Sequence, residues 1–293
     1  MIVLTGATGN IGSKIASILL SQGDMVRCVA RTADKLKDLA AQGAEIAAIP
    51  LEDTAALDRA FTGADAVFTM IPPYFTAPDF RAYQNVIGAS LSEAIKQAGV
   101  RHIVNLSSQG AQLPDNTGPI KGLHDQEERL NRLKGVSILH LRPTYFMENL
   151  LANVELIKNM NIMGSAIRGN LKLPLIATKD IAKHAAERLS KRDFSGISVQ
   201  DLLGQRDISM DEIAASLSTK LGRPELKYVQ FSYAATELAL AGMGFSADVS
   251  RLIVEMSRAI NERIIMNTPR TKKNTTNTTF EEFAEIFVRQ LVK

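Results

Sequence analysis

The chain of 293 residues holds no tryptophan, five tyrosines, four histidines and a single cysteine, Cys28. One cysteine closes no intrachain disulfide and builds no thiolate metal cluster. Long apolar runs are missing as well. No segment approaches the roughly 18 uninterrupted apolar residues of a membrane span, and the apolar start, Met1 to Leu4, is too short for a secretory signal. Without such a signal, the tripeptides starting at Asn274 and Asn277 are polar loop residues rather than glycan acceptors. A surplus of one charge is also lacking: 34 basic against 31 acidic residues leave a formal +3, and the two signs are interleaved. That pattern excludes a basic stripe for nucleic acid. There is no internal repeat. What remains is the expectation of a soluble, cytoplasmic, globular protein. Its 45% hydrophobic content is enough for one large α/β core and a smaller attached region.

The first twelve residues, Met-Ile-Val-Leu-Thr-Gly-Ala-Thr-Gly-Asn-Ile-Gly, run from an apolar strand into a glycine turn and then into a helix carrying Ile11, Ile15, Ile18 and Leu19. Gly6, Gly9 and Gly12 give the spacing of a dinucleotide cradle. The first glycine lets the chain turn tightly, the second admits a pyrophosphate close to the backbone, and the third lets the helix pack against the sheet. Gly6, Ala7, Thr8, Gly9, Asn10 and Ile11 are therefore the expected phosphate-binding residues, with the positive end of the helix behind them.

Strand and helix patterns alternate through the first half. Parallel strands are expected near Ile2–Leu4, Met25–Ala30, Glu45–Ile49, Ala66–Met70, His102–Leu106 and Val136–Leu141. The intervening helices span Ala33–Ala41, Thr54–Phe61, Pro78–Ala98 and Leu123–Leu133 and are stopped by Gly43, Gly63, Gly99 and Gly135. This predicts an α/β fold: a Rossmann-type doubly wound parallel sheet with a smaller, mostly helical C-terminal region. Residues 1–146 are assigned to nucleotide binding and 147–293 to a substrate-capping region, with 171–190 packing back onto the sheet through a strand at Leu171–Ile176. Thr278 is read as the cap of the last helix, with Glu281 completing a capping box. Pro269–Thr279 is read as the most mobile stretch.

An NAD-specific site would place a carboxylate at the end of the second strand, whereas this sequence places Arg31 there. A guanidinium pairs with a 2′-phosphate and stacks on adenine, and Lys35 adds a second charge one turn on, so NADP(H) is expected over NAD(H).

The glycine fingerprint, Arg31, Ser107-Ser108 and the run Leu141-Arg142-Pro143-Thr144-Tyr145-Phe146-Met147-Glu148-Asn149 resemble the NmrA-like group of atypical short-chain dehydrogenases. The likeness extends over nearly the whole length. Within the group, the sequence is most similar to bacterial NADPH-dependent quinone and azo-compound reductases. The resemblance implies a nucleotide domain with a small C-terminal region over a cleft. It implies an NADPH-dependent reductase of a quinone-like electrophile; the same family also contains catalytically silent NADP(H) sensors that signal redox state to a protein partner. A homo-oligomer is compatible with either reading.

No tyrosine is followed by lysine four residues later, so the Tyr-x-x-x-Lys proton chemistry of ordinary short-chain dehydrogenases is missing. In its place stands His124, expected to protonate the acceptor with Glu128, four residues on, fixing its tautomer; lining the pocket or capping the helix is the alternative role. Ser107 is placed to bond the carboxamide or the substrate. Ile71, Pro72, Leu106, Pro143, Tyr145 and Phe146 are expected around the nicotinamide. Phe146, Met147, Met160, Ile162 and Met163 would form an apolar lid or belong to the ordinary core. His102, His140 and His184 form no ligand cluster with His124, and no metal site is expected.

Overall fold

A computed structural model describes residues 1–292. The chain runs β1 (Ile2–Thr5), α1 (Gly12–Ser21), β2 (Val26–Ala30), α2 (Lys37–Ala41), β3 (Glu45–Ala48), α3 (Thr54–Phe61), β4 (Ala66–Thr69), α4 (Phe80–Gln97), β5 (His102–Leu106), α5 (Lys121–Asn131) and β6 (Ser137–Pro143). There follow β7 (Tyr145–Phe146), α6 (Val154–Met160), β8 (Ile162–Ser165), β9 (Leu173–Ile176), α7 (Thr178–Lys191), β10 (Ile197–Leu202) and β11 (Asp207–Ile208). The chain closes with α8 (Met210–Leu221), β12 (Lys227–Gln230), α9 (Tyr233–Gly242), α10 (Ala247–Asn261) and α11 (Phe280–Val292).

Seven parallel strands form the main sheet in the order β10-β6-β5-β4-β1-β2-β3. Central β1 and β4 are buried throughout, as strands covered on both faces must be, while edge strand β3 is open to solvent. On one face α1 and α7 bury Ile15, Leu19, Ile181 and Leu189 with Leu4 and Phe68. On the other, α3, α4 and α5 bury Leu57, Phe61, Leu91 and Leu130 with Val3 and Val67. The chain builds outward from β1 to β3, then crosses to β4 on the opposite side of β1. The loops after β1 and β4 diverge there and open a crevice at the carboxyl edge.

Beyond Phe146 the structure departs from the expectation. The strand at Leu173–Ile176 does form, but it pairs with β7 and β11 in a separate small sheet. The seventh strand of the main sheet is instead β10, in register with β6 from Ile197↔Ile138 to Leu202↔Pro143. As an edge strand its alternating sequence leaves Ile197 and Val199 exposed, so its apolar signal is weak. Helix α7 does pack on the sheet, against α1, β4 and β5. The sheet layer thus draws on residues well past 146.

The last helix is capped by Thr279, whose Oγ1 accepts from the Glu282 amide, and not by Thr278. Thr278 is buried, with its amide and hydroxyl both donating to the Asp180 carboxylate. The stretch 269–279 is tied down: the Leu203 amide donates to the Asn274 carbonyl, and Arg270 reaches the Gly204 carbonyl and Asp207.

Candidate functional site

The turn between β1 and α1 is built for close approach. Gly6 has φ +64, and a Cβ there would lie 2.6 Å from Met70 Sδ. A Cβ on Gly12 would meet the Gly6 carbonyl group and come within 3.0 Å of Ala7 Cα, so both positions are confined to glycine by backbone and packing. Gly9 differs, since a Cβ there touches only the Gly6 carbonyl oxygen, at an ordinary 3.4 Å. The space over Gly9 is open. No side chain caps α1 and no acid stands in its first turn. Among the described residues, no acceptor takes the amides of Asn10 and Ile11. Free amides at a helix start, with the dipole behind them, are what an anionic pyrophosphate requires. Ala7 and Ile11 are themselves buried, so they offer backbone, not side chain.

Beside this turn lies a cavity of about 380 Å³, walled by Gly6, Thr8, Arg31, Leu51, Pro72 and Ile87, with Glu52 and the tyrosines Tyr74 and Tyr83 also lining it. The two tyrosine rings stand edge to face, 5.2 Å apart. Burial raises the Tyr83 phenol above its ordinary range; Glu52 adds to the rise and Arg31 opposes it. Apolar walls, aromatic edges and a cation next to an anion-binding turn suit an adenosine carrying a phosphate. Arg31 is the cation expected from the sequence, whereas Lys35 sits exposed on a short 3₁₀ turn outside the lining. Leu51, Glu52, Tyr74, Tyr83 and Ile87 are additions that sequence reasoning misses, because they come from the loops after β3 and β4 and from α4, where no local motif marks them.

At the end of β5, Ser107 is buried, and its hydroxyl donates to Glu127 Oε1 over 2.5 Å. Glu127, on α5, also accepts from Arg142 Nε at 2.9 Å and from the second guanidinium nitrogen. Burial works to raise the Glu127 carboxyl, but the Arg142 guanidinium, helped by the Ser107 hydroxyl, outweighs it and holds the carboxyl below its ordinary range. Next to this trio a buried ladder runs across three strands. The Thr69 hydroxyl donates to Asn105, the Asn105 amide to His140 Nδ1, and His140 Nε2 to Asn131. Burial lowers His140, which stays neutral in the fold.

Among the described residues, His124 makes no hydrogen bond to Glu128. His124 Nδ1 lies 2.8 Å from the Ala111 carbonyl oxygen, which only accepts, so Nδ1 carries the hydrogen and Nε2 is left free. Glu128 is exposed, since α5 turns Glu127 toward the sheet and Glu128 toward solvent. Of the residues expected around the nicotinamide, Pro143 is buried, while Ile71, Pro72, Leu106, Tyr145 and Phe146 are half-buried. Burial pushes the Tyr145 phenol up to about 12. Of the expected lid, Met147 and Met163 belong to the C-terminal core, Met160 is exposed, and Phe146 and Ile162 lie between. Glu148 serves the fold, since its carboxylate accepts the Thr178 amide at 3.0 Å and the Thr178 hydroxyl and so fixes the start of α7.

Fold and site together define a dinucleotide-binding α/β protein. The chain belongs to the NmrA-like family, whose pattern it matches over residues 1–284. It is 30% identical over 256 residues to an NAD(P)H azoreductase of Xenophilus azovorans, covering 87% of this chain and 86% of that one. It is 32% identical over 240 residues to a (4-alkanoyl-5-oxo-2,5-dihydrofuran-3-yl)methyl phosphate reductase of Streptomyces griseus, covering 82% and 80%. Its fold superposes on an NADPH-dependent quinone oxidoreductase complexed with NADPH from Escherichia coli, with a TM-score of 0.81, 22% identity, and 98% and 100% of the two chains covered. With these relatives it is an NAD(P)H-dependent oxidoreductase. No helix among the described residues is long and apolar enough to cross a membrane.

Proposed function

We propose that this protein binds NADPH in preference to NADH and reduces a small, flat, electron-poor molecule of the quinone or azo class by direct hydride transfer. The observation that carries the reading is the clamp at the β1–α1 turn: unsatisfied amides over Gly9 beside a cavity holding Arg31. The dinucleotide supplies the hydride, and a conjugated acceptor needs little more than parallel stacking against it. Glu52 lines the same cavity, so the charge around the 2′-position is mixed. Arg31, at the tip of β2, stands where a ribose would sit, while Glu52 reaches in from the next strand out.

The polar groups have separable roles. Ser107 spends its hydrogen on Glu127, whose lowered carboxyl stays ionised at neutral pH. Its oxygen is left as an acceptor for an amide N–H, and Ser107 does not act as a proton donor. Reduction of a quinone needs one proton besides the hydride. His124 Nε2 is the ring nitrogen that Ala111 does not engage, and we assign it the relay of that proton, which Nε2 takes from solvent and passes to the acceptor. With one cysteine, whose buried thiol is pushed up to about 12, the protein suits a reducing cytoplasm.

The test mixes purified protein with NADPH or NADH and a panel of quinones and azo dyes, following loss of the reduced-nicotinamide absorbance. Turnover with NADPH that fails in Gly9→Val supports the proposal. Tight NADPH binding with no oxidation by any acceptor overturns it in favour of a sensing role. If His124→Ala leaves rate and pH profile unchanged, the proton assignment is wrong.

A further inference from the structure

Helix α10 presents its solvent face in a groove of about 520 Å³. Arg251, Val254, Glu255, Arg258, Ala259 and Glu262 line it, and at 100° per residue they fall on a single side of the helix and its following residue. Their order is a palindrome of opposites. Reflection about the point between Met256 and Ser257 exchanges Arg251 with Glu262, Glu255 with Arg258, and Val254 with Ala259. An antiparallel helix with this same sequence would therefore set every cation against an anion, while Val254 and Ala259, 7% and 2% exposed, stay in the floor of each chain's own groove. Self-complementarity of this kind is the requirement of a two-fold interface.

We propose that this face binds a second copy of the chain, with α10 packed antiparallel against α10 of the partner about a two-fold axis at Met256–Ser257. The charges are largely uncommitted. Among the described residues neither Arg258 nor Glu262 has an ion-pair partner, and Arg251 has only Asp248 at 3.6 Å. Arg258 lies over the Tyr233 ring, 5.0 Å from its centre. Glu255 is the exception, already accepting from the Gly118 amide and Lys121, so the outer pair Arg251–Glu262 decides the register. Apolar area is supplied next to it. Helix α9, which packs along α10, buries none of its residues and leaves Leu238 76% and Met243 65% exposed. Two copies meeting on α10 would bring both α9 helices to the rim of one contact, which is how a charged seam acquires the covered apolar surface that a stable dimer needs.

Sedimentation equilibrium across protein concentration, at low and high salt, tests this directly. The native chain is expected to form a dimer that dissociates as salt screens the two symmetry-related Arg251–Glu262 pairs. Arg251→Glu should raise the dimer dissociation constant about tenfold or more, by turning two attractions into repulsions. The double exchange Arg251→Glu with Glu262→Arg should restore the dimer, and circular dichroism would verify that each variant is folded. A native monomer at every concentration, a dimer indifferent to Arg251→Glu, or failure of the double exchange to restore pairing would each overturn the proposal.

Discussion

Replacing Gly9 by valine separates the nucleotide site from the fold. At Gly12 a Cβ runs into the Gly6 carbonyl, with Gly6 C at 2.7 Å and Ala7 Cα at 3.0 Å, all backbone atoms that cannot yield. Gly12→Ala should therefore destabilise the protein by about 1–3 kcal/mol, the usual cost of overpacking. At Gly9 the nearest atom to a new Cβ is 3.4 Å away, and φ there lies outside the left-handed region. A valine fits the chain and fills only the space over the turn. That space adjoins the turn whose Asn10 and Ile11 amides have no acceptor among the described residues. Excluding a phosphate from two charge-assisted hydrogen bonds costs about 3–6 kcal/mol at about 1.5–3 each, or roughly 10²–10⁴ in Kd. Calorimetric titration of NADPH, paired with thermal melts, reads both quantities. Gly9→Val should keep Tm and lose binding, while Gly12→Ala should lose Tm. Unchanged NADPH affinity in Gly9→Val would show that the phosphates do not sit on this turn.

Arg31→Ala should weaken NADPH by about tenfold or more and leave NADH nearly untouched; an unchanged affinity ratio in titrations with both would remove the 2′-phosphate assignment. Glu148→Ala strips the start of α7 of its acceptor and should cost about 0.5–2 kcal/mol, read as a lower midpoint in denaturant; an unmoved midpoint refutes the capping role. His140 and His184 both have their folded-state pKa lowered from 6.5 by burial. The native state then binds fewer protons than the unfolded chain below that value, so stability is fully present above pH 6.5 and declines as pH falls through the lowered values. Thermal melts should shift down between pH 7.5 and 5.5, and a flat profile would contradict burial of the neutral rings. Glu127→Ala leaves the Arg142 guanidinium without its carboxylate and should destabilise by about 3–5 kcal/mol; a loss under 1 kcal/mol in urea unfolding would mean the pair is solvated.

The nucleotide half was legible because its signals are local. Buried β1 and β4 are short apolar runs, α3 starts after the Asp53 cap that accepts the Ala56 amide at 2.9 Å, and Gly43, Gly63, Gly99 and Gly135 all adopt positive φ at the ends of helices. The later half depends on long-range pairing. Strands β8 and β12 find each other across sixty-odd residues, with Ile162↔Lys227 to Ser165↔Gln230 in register, and neither sequence carries more than a trace of alternation. Strand β9 is apolar enough to be seen, yet its partners are the two-residue strands β7 and β11. Nothing local in Leu173–Ile176 could distinguish that small sheet from the large one.

The site shows the same limit at the scale of one residue. Spacing along α5 makes Glu127 and Glu128 equally plausible neighbours of His124, at three and four residues. Which of them turns inward depends on the phase of the helix against the sheet, normally read from an apolar stripe. Here the inward positions are Gly122, Gln126, Glu127 and Leu130, so polar residues occupy the stripe and hydrophobic periodicity is silent. The stripe is polar because its partners are: Glu127 meets Arg142 and Ser107, and Gln126 accepts from Arg129. A carboxylate beneath the β5 hydroxyl therefore gives this chain an arrangement opposite to that of the tyrosine–lysine pair it lacks. A lysine beside a tyrosine makes a phenol release its proton, whereas Glu127 beside Ser107 claims the serine's hydrogen for itself. Under the function proposed above, the acceptor would have to arrive electrophilic enough to take a hydride unaided by that group, a demand that conjugated acceptors meet better than simple ketones.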